Sequence, residues 1–206
     1  DQAPERVGLL SRPALVASGT HTTQPIHKGV RIRRHVLCGI VGNPPADLGE
    51  LPTVDDLASR RTQTEQLTER PGTSCVQCHR SINPLGYATE SFDGLGRFRT
   101  TEAIFGEDGS VLATHPVDTS GAFRVTANDA RSGTGVGELA ERIVTSGAHH
   151  ACLARVAVRH ATSRLEDELA DGCWLEAVRG DLAAGKPLRD ALRDVANRPE
   201  FRLKAL

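Results

Sequence analysis

The sequence has no methionine in 206 residues, so no thioether side chain is available to any metal. Aromatic residues make up only 3%: one Trp, one Tyr and five Phe. Apolar bulk must therefore come from aliphatic side chains or from a bound non-protein group. No apolar run approaches the roughly 18 residues of a helical membrane span. Charge of either sign is not in excess: 25 Lys and Arg face 26 Asp and Glu, for a net charge of −1. That balance gives no electrostatic footprint for nucleic acid, which is excluded as an expected partner. HExxH, G-x-S-x-G and P-loop patterns are absent, and no carboxylate pair lies in an apolar setting. "SGTGVG" (132–137) is rich in glycine, but no strand is predicted before it and no Lys follows, so it reads as a linker.

Hydrophobic residues reach 38%, enough for one large domain or two small lobes. The chemistry concentrates in "SCVQCHRSINPLGY" (74–87), where Cys75, Cys78 and His79 form a CxxCH motif. Three chemistries use a Cys-x-x-Cys. A thioredoxin-like dithiol needs a strand before it and a helix after it, yet Pro71-Gly72 precedes and Pro84-Leu85-Gly86 follows. A zinc site needs four ligands, and Cys38, Cys152 and Cys173 supply no second close pair, which leaves a mixed His/Cys set as an alternative. Covalent haem attachment fits the stretch as it stands. The two thiols add across neighbouring vinyl groups, and the next residue, His79, lies under the iron as proximal ligand. One haem c with its iron is the expected cofactor. Haem c implies export, to a periplasmic or extracellular space that also permits disulfides.

Without Met, the sixth iron position falls to histidine, to a weak ligand or to nothing. His21, in the turn-rich "ASGTHTTQP", is the leading candidate, ahead of His160, His115, His149 and His150, with His27 and His35 behind. Bis-His ligation would set a lower potential than Met/His. Arg97 and Arg99 in "LGRFR" are candidates to pair with haem propionates, and Tyr87 to bond a propionate or cover a ring edge. Ile82, Leu85, Phe92 and Phe98 are the expected pocket walls.

The expected fold is mainly α: a cytochrome c-like helical domain around covalent haem, with a small β-hairpin and a C-terminal helical bundle. Three regions follow: 1–52, packing on the haem domain; 53–125, binding the haem and carrying the hairpin; and 137–206, helical. Apolar spacing predicts a short basic-faced helix in 29–41. Thr53 as N-cap, Asp55 and Asp56 in the first turn and a stop at Pro71 predict a helix over 53–70. "EDG" between apolar runs predicts the hairpin, and 127–137 reads as a loop. Cys152 and Cys173 lie 21 apart on consecutive predicted helices; a bridge between them is expected, leaving Cys38 as the odd thiol. Such a loop stabilises by about 3 kcal/mol in the chain-entropy view.

"VGLLSRPALVASGTHTTQPIHKGVRIRRHVLCG", "SCVQCHRSINPLGYATESFDGLGRFR", "PVDTSG" and "ELAERIVTSGAHHACLARVAVRHATSR" together resemble the C-terminal module of large haem-c proteins of unknown function from planctomycete- and myxobacteria-type genomes. The resemblance spans about residues 6–202 and implies an exported haem-c module, often appended to longer chains. The chain departs from it in three places. A long proline run is reduced to Pro44-Pro45 and Pro52, Ile82 stands where Met is frequent, and His160 replaces an aromatic in "RHATSR".

These readings converge on a monohaem electron carrier rather than an enzyme, exchanging one electron with redox partner proteins. An open-site haem enzyme or gas sensor is one alternative. A haem-bearing subunit of an extracellular electron-conducting assembly is the other, and a homo-oligomer or assembly is among the expected partners.

Overall fold

Proline stands in the first turn of three helices, at Pro13, Pro25 and Pro84, where a missing N–H costs nothing. The computed structural model describes residues 6–47, 50–69 and 74–202. They divide into two compact units. One runs up to Arg34 and resumes over Gly39–Arg142; the other joins His35–Cys38 to the chain from Ile143 onward. The element order is a 3₁₀ turn (Leu9–Ser11), α1 (Pro13–Val16), α2 (Pro25–His35), α3 (Arg60–Thr68), α4 (Cys75–His79), α5 (Asn83–Tyr87), β1 (Thr101–Phe105), β2 (Val111–Pro116), β3 (Ser120–Ala122), β4 (Ser132–Thr134), α6 (Gly135–Ser146), α7 (Ala148–Thr162), α8 (Gly172–Ala183), α9 (Leu188–Asn197) and α10 (Pro199–Arg202). The fold is mainly α, as expected, with short antiparallel strand pairs. Among the described residues no helix is long and apolar enough to cross a membrane.

In the first unit, α2 realises the predicted basic helix, shifted toward the N-terminus. Its approach to α5 and the residue before it is backbone on backbone. A Cβ on Gly86 would lie 2.0 Å from the Pro25 carbonyl oxygen, and one on Gly29 would lie 2.1 Å from that of Ile82. Only glycine permits such spacing.

The helix predicted over 53–70 is shorter than expected, because Asp55 spends its side chain on a turn. Its Oδ1 accepts from Leu57 N at 2.9 Å, and the Asp55 carbonyl accepts from Ala58 N at 3.0 Å. Helix α3 starts only at Arg60, with Ser59 as N-cap accepting from Thr62 N. Its buried residues are Gln63, Thr64 and Thr68 rather than a leucine stripe.

The predicted hairpin is β1–β2, with a register shift between Ile104 and Phe105 and Gly109 at φ +80° in its turn. A second pair was not expected: Ser132–Thr134, read as loop, pairs with Ser120–Ala122. The "SGTGVG" stretch is thus strand β4 followed by the start of α6, with Gly135 at φ +74° making the corner.

In the second unit, α7, α8 and α9 pack around Trp174, with Ala154, Val158, Val178, Leu182, Ala191 and Val195 buried against it. This is the expected helical bundle. The expected Cys152–Cys173 bridge is not formed. Cys38 pairs with Cys152 at an S–S distance of 2.02 Å, and Cys173 is an exposed free thiol. Loop length suggested the former pairing, but α7 buries Cys152 while Cys173 faces solvent at the start of α8.

Two outcomes follow. Gly86→Ala forces a backbone clash and should lower stability by about 1–3 kcal/mol, read from the urea midpoint; an unchanged midpoint would refute the close approach. Iodoacetamide without reductant should label Cys173 and leave Cys38 and Cys152 unlabelled, as mapped by peptide mass.

Candidate functional site: the Cys75–His79 turn

Helix α4 is a little over one turn long and consists of the motif itself. Cys75 and Cys78, three residues apart, fall on neighbouring positions of one helical side. Both are free thiols, Cys75 half-buried and Cys78 exposed. The chain turns on through Arg80 N to Val76 O and Ile82 N to His79 O, and α5 then begins at Asn83.

His79 is half-buried, and its Nδ1 lies 3.0 Å from Asn83 Oδ1. The Asn83 side chain is fully buried, and a chain of hydrogen bonds fixes which way its amide points. The Thr68 hydroxyl donates to the Thr64 carbonyl at 2.6 Å, since a carbonyl can only accept. The Thr68 oxygen then accepts from Asn83 Nδ2 at 2.8 Å, with Glu69 Oε1 a second, longer acceptor at 3.4 Å. This leaves Asn83 Oδ1 facing the ring, so His79 Nδ1 carries the proton and Nε2 keeps its lone pair. An imidazole so held is prepared to ligate through Nε2.

Tyr87, at the end of α5, is buried, and its hydroxyl has no hydrogen-bond partner among the described residues. The Arg61 guanidinium stacks 4.5 Å from the centre of its ring. Burial, reinforced by the carboxylates of Glu65 and Glu69, pushes the phenol well above its ordinary range. Asn83 acts in the opposite sense without meeting hydrogen-bond geometry.

The other predicted site residues lie elsewhere in the first unit. His21 is exposed and lines a cavity of about 590 Å³ together with Arg60, Arg97, Arg99 and Phe105. Cys75, Cys78 and His79 are not among its lining residues. Arg97 is largely exposed and pairs with Asp93 at 2.8 Å. Arg99 joins a buried network that sequence reasoning missed. Glu90 accepts from Lys28 Nζ at 3.0 Å, from Arg99 Nη2 at 3.1 Å and from the Thr23 hydroxyl at 2.5 Å. Lys28 also donates to the Phe92 carbonyl at 2.9 Å. Burial pushes the Lys28 ammonium pKa below its ordinary value, with Glu90 opposing. Ile82, Leu85 and Phe92 are buried as expected, whereas Phe98 is exposed and meets Phe92 edge-on at 6.0 Å.

The remaining histidines are dispersed. His27 pairs with Gln24, His115 with the Leu57 carbonyl, and His35 and His160 are exposed. The rings of His149 and His150 lie 3.7 Å apart, and burial followed by His149 and Arg179 lowers the His150 pKa. Among the described residues no group of three His, Cys, Asp or Glu side chains could hold a metal ion between them. Helix α4 presents two neighbouring free thiols and one oriented imidazole.

The Lys28–Glu90 pair generates a test. Glu90→Gln leaves a buried ammonium without its counter-charge and should cost about 3–5 kcal/mol, measured by chemical denaturation. A loss under about 1 kcal/mol would show that the pair is solvated, as exposed pairs are.

Residues 6–102, which include the motif, match the model of a family described as "PSCyt3: Protein of unknown function (DUF1588)", a planctomycete cytochrome-like domain family. Comparison with curated proteins and with solved structures finds no match. Over that stretch the chain is similar to a cytochrome-like domain.

Proposed function

We propose that this chain carries one covalent haem c and serves as an exported one-electron carrier. The observation that carries the reading is the His79 ring, its Nδ1–H donated to buried Asn83 and its Nε2 lone pair left for iron, one residue after Cys78. When bound, the haem supplies a single-electron Fe(III)/Fe(II) couple. The chain's own part is attachment and orientation. Cys75 and Cys78 would hold the haem through thioether links, and His79 would ligate its iron. Helix α4 brings the two thiols one turn apart on a common side.

His21, on an exposed turn, is the residue proposed to supply a second imidazole, while the cavity it lines does not include Cys75, Cys78 or His79. Two strong imidazole ligands favour electron transfer over chemistry at iron. Arg97, Arg99 and Tyr87 are proposed to approach the propionates and the ring edge. For Arg99 this means sharing the guanidinium with Glu90. Export to the periplasm or beyond agrees with the Cys38–Cys152 disulfide, which persists in oxidising compartments. The partners proposed are redox proteins.

The test is optical. The pyridine haemochrome of purified protein should report one thioether-linked haem per chain, and the oxidised spectrum should be six-coordinate and low-spin. His21→Ala should convert it to high-spin. A colourless protein refutes the reading. A high-spin spectrum in the unaltered protein favours an open-site enzyme or sensor, and a low-spin His21→Ala moves the distal ligand to another histidine or to a second copy of the chain.

A further inference from the structure

The Asn83 side chain is held from the far side, by α3. Its amide could present either oxygen or nitrogen to His79, and the choice is made by a residue that never touches the ring. Thr68 gives its hydroxyl proton to the Thr64 carbonyl within α3, so its oxygen can serve Asn83 only as an acceptor. The hydroxyl and the amide are both buried, so water does not compete for either. Three bonds in series, Thr68 to Thr64, Asn83 to Thr68 and His79 to Asn83, therefore transmit one polarity from a helix backbone to an imidazole. The polarity starts at the Thr64 carbonyl, which can only accept.

From this chain of bonds we infer that Thr68 is a positioning residue for His79, and that α3 sets how strongly His79 donates to the group at its Nε2. The inference rests on the haem reading above. A carbonyl oxygen on Nδ1–H raises the basicity of the ring's other nitrogen, though less than a carboxylate would. Stronger donation stabilises Fe(III) and lowers the potential. Loosening the amide weakens donation and raises it.

The experiment uses the haem-loaded chain, with loading checked first by pyridine haemochrome in every variant. An unloaded unaltered protein sinks the haem reading, independently of the role of Thr68. Thr68→Val keeps shape and removes the acceptor, Thr68→Ser restores it, and Asn83→Leu removes the bond to His79 altogether. At a fixed poise the Fe(II)/Fe(III) ratio should rise about tenfold in Asn83→Leu, equivalent to 59 mV for one electron. Thr68→Val should rise in the same direction by a smaller factor, and Thr68→Ser should match the unaltered protein. Exchange of the His79 Nδ1–H proton, followed by NMR in the reduced state, should be at least tenfold faster in Thr68→Val. If Thr68→Val lowers stability yet leaves both potential and proton exchange unchanged, Thr68 only packs, and the inference is wrong.

Discussion

The hydrogen bond from His79 to Asn83 is the interaction on which the rest of this site depends. It fixes the ring's tautomer, its direction and its free nitrogen at once. A CxxCH helix of five residues is too short to be stable by itself. What holds it is the buried amide that follows one turn later and the Thr68 hydroxyl of α3 that holds that amide in turn. The site is therefore assembled from three short segments that hold one another.

The surrounding unit is built to keep those segments in register. Helix α2 meets α5 and the residue before it through two glycines: a Cβ on Gly86 would strike the Pro25 carbonyl, and one on Gly29 would strike the Ile82 carbonyl. Lys28, on the same helix, is anchored to Glu90 and the Phe92 carbonyl just beyond α5. Glycine contacts and a buried ion pair act on the same two elements, one by shape and the other by charge. Breaking the pair is costly because its charges are dry, although its formation adds little net stability.

Much of this was legible in the sequence. CxxCH is local, and its spacing carries its chemistry in one turn. The hairpin, the helical final third and the basic helix around residue 30 follow from periodicity and turn residues. The disulfide was misread because loop length says nothing about which face of a helix a thiol occupies. Helix α3 began late because Asp55 offered its backbone a competing turn. Its inner face escaped notice because Gln63, Thr64 and Thr68 are buried through hydrogen bonds, which a hydrophobic pattern does not register. Asn83 could have been found: it stands four residues after His79, a spacing at which side chains on adjacent turns meet. Lys28 and Glu90 are 62 apart, and nothing in the sequence pairs them.

The central claim is that a porphyrin is joined to this particular turn. Tryptic digestion of the purified, solvent-extracted protein, with absorbance followed through chromatography, addresses it most directly. Soret absorbance should travel with the peptide that contains Cys75, Cys78 and His79, at a mass equal to the peptide plus one haem. If the colour leaves with the solvent, or that peptide carries two unmodified cysteines, the account is contradicted.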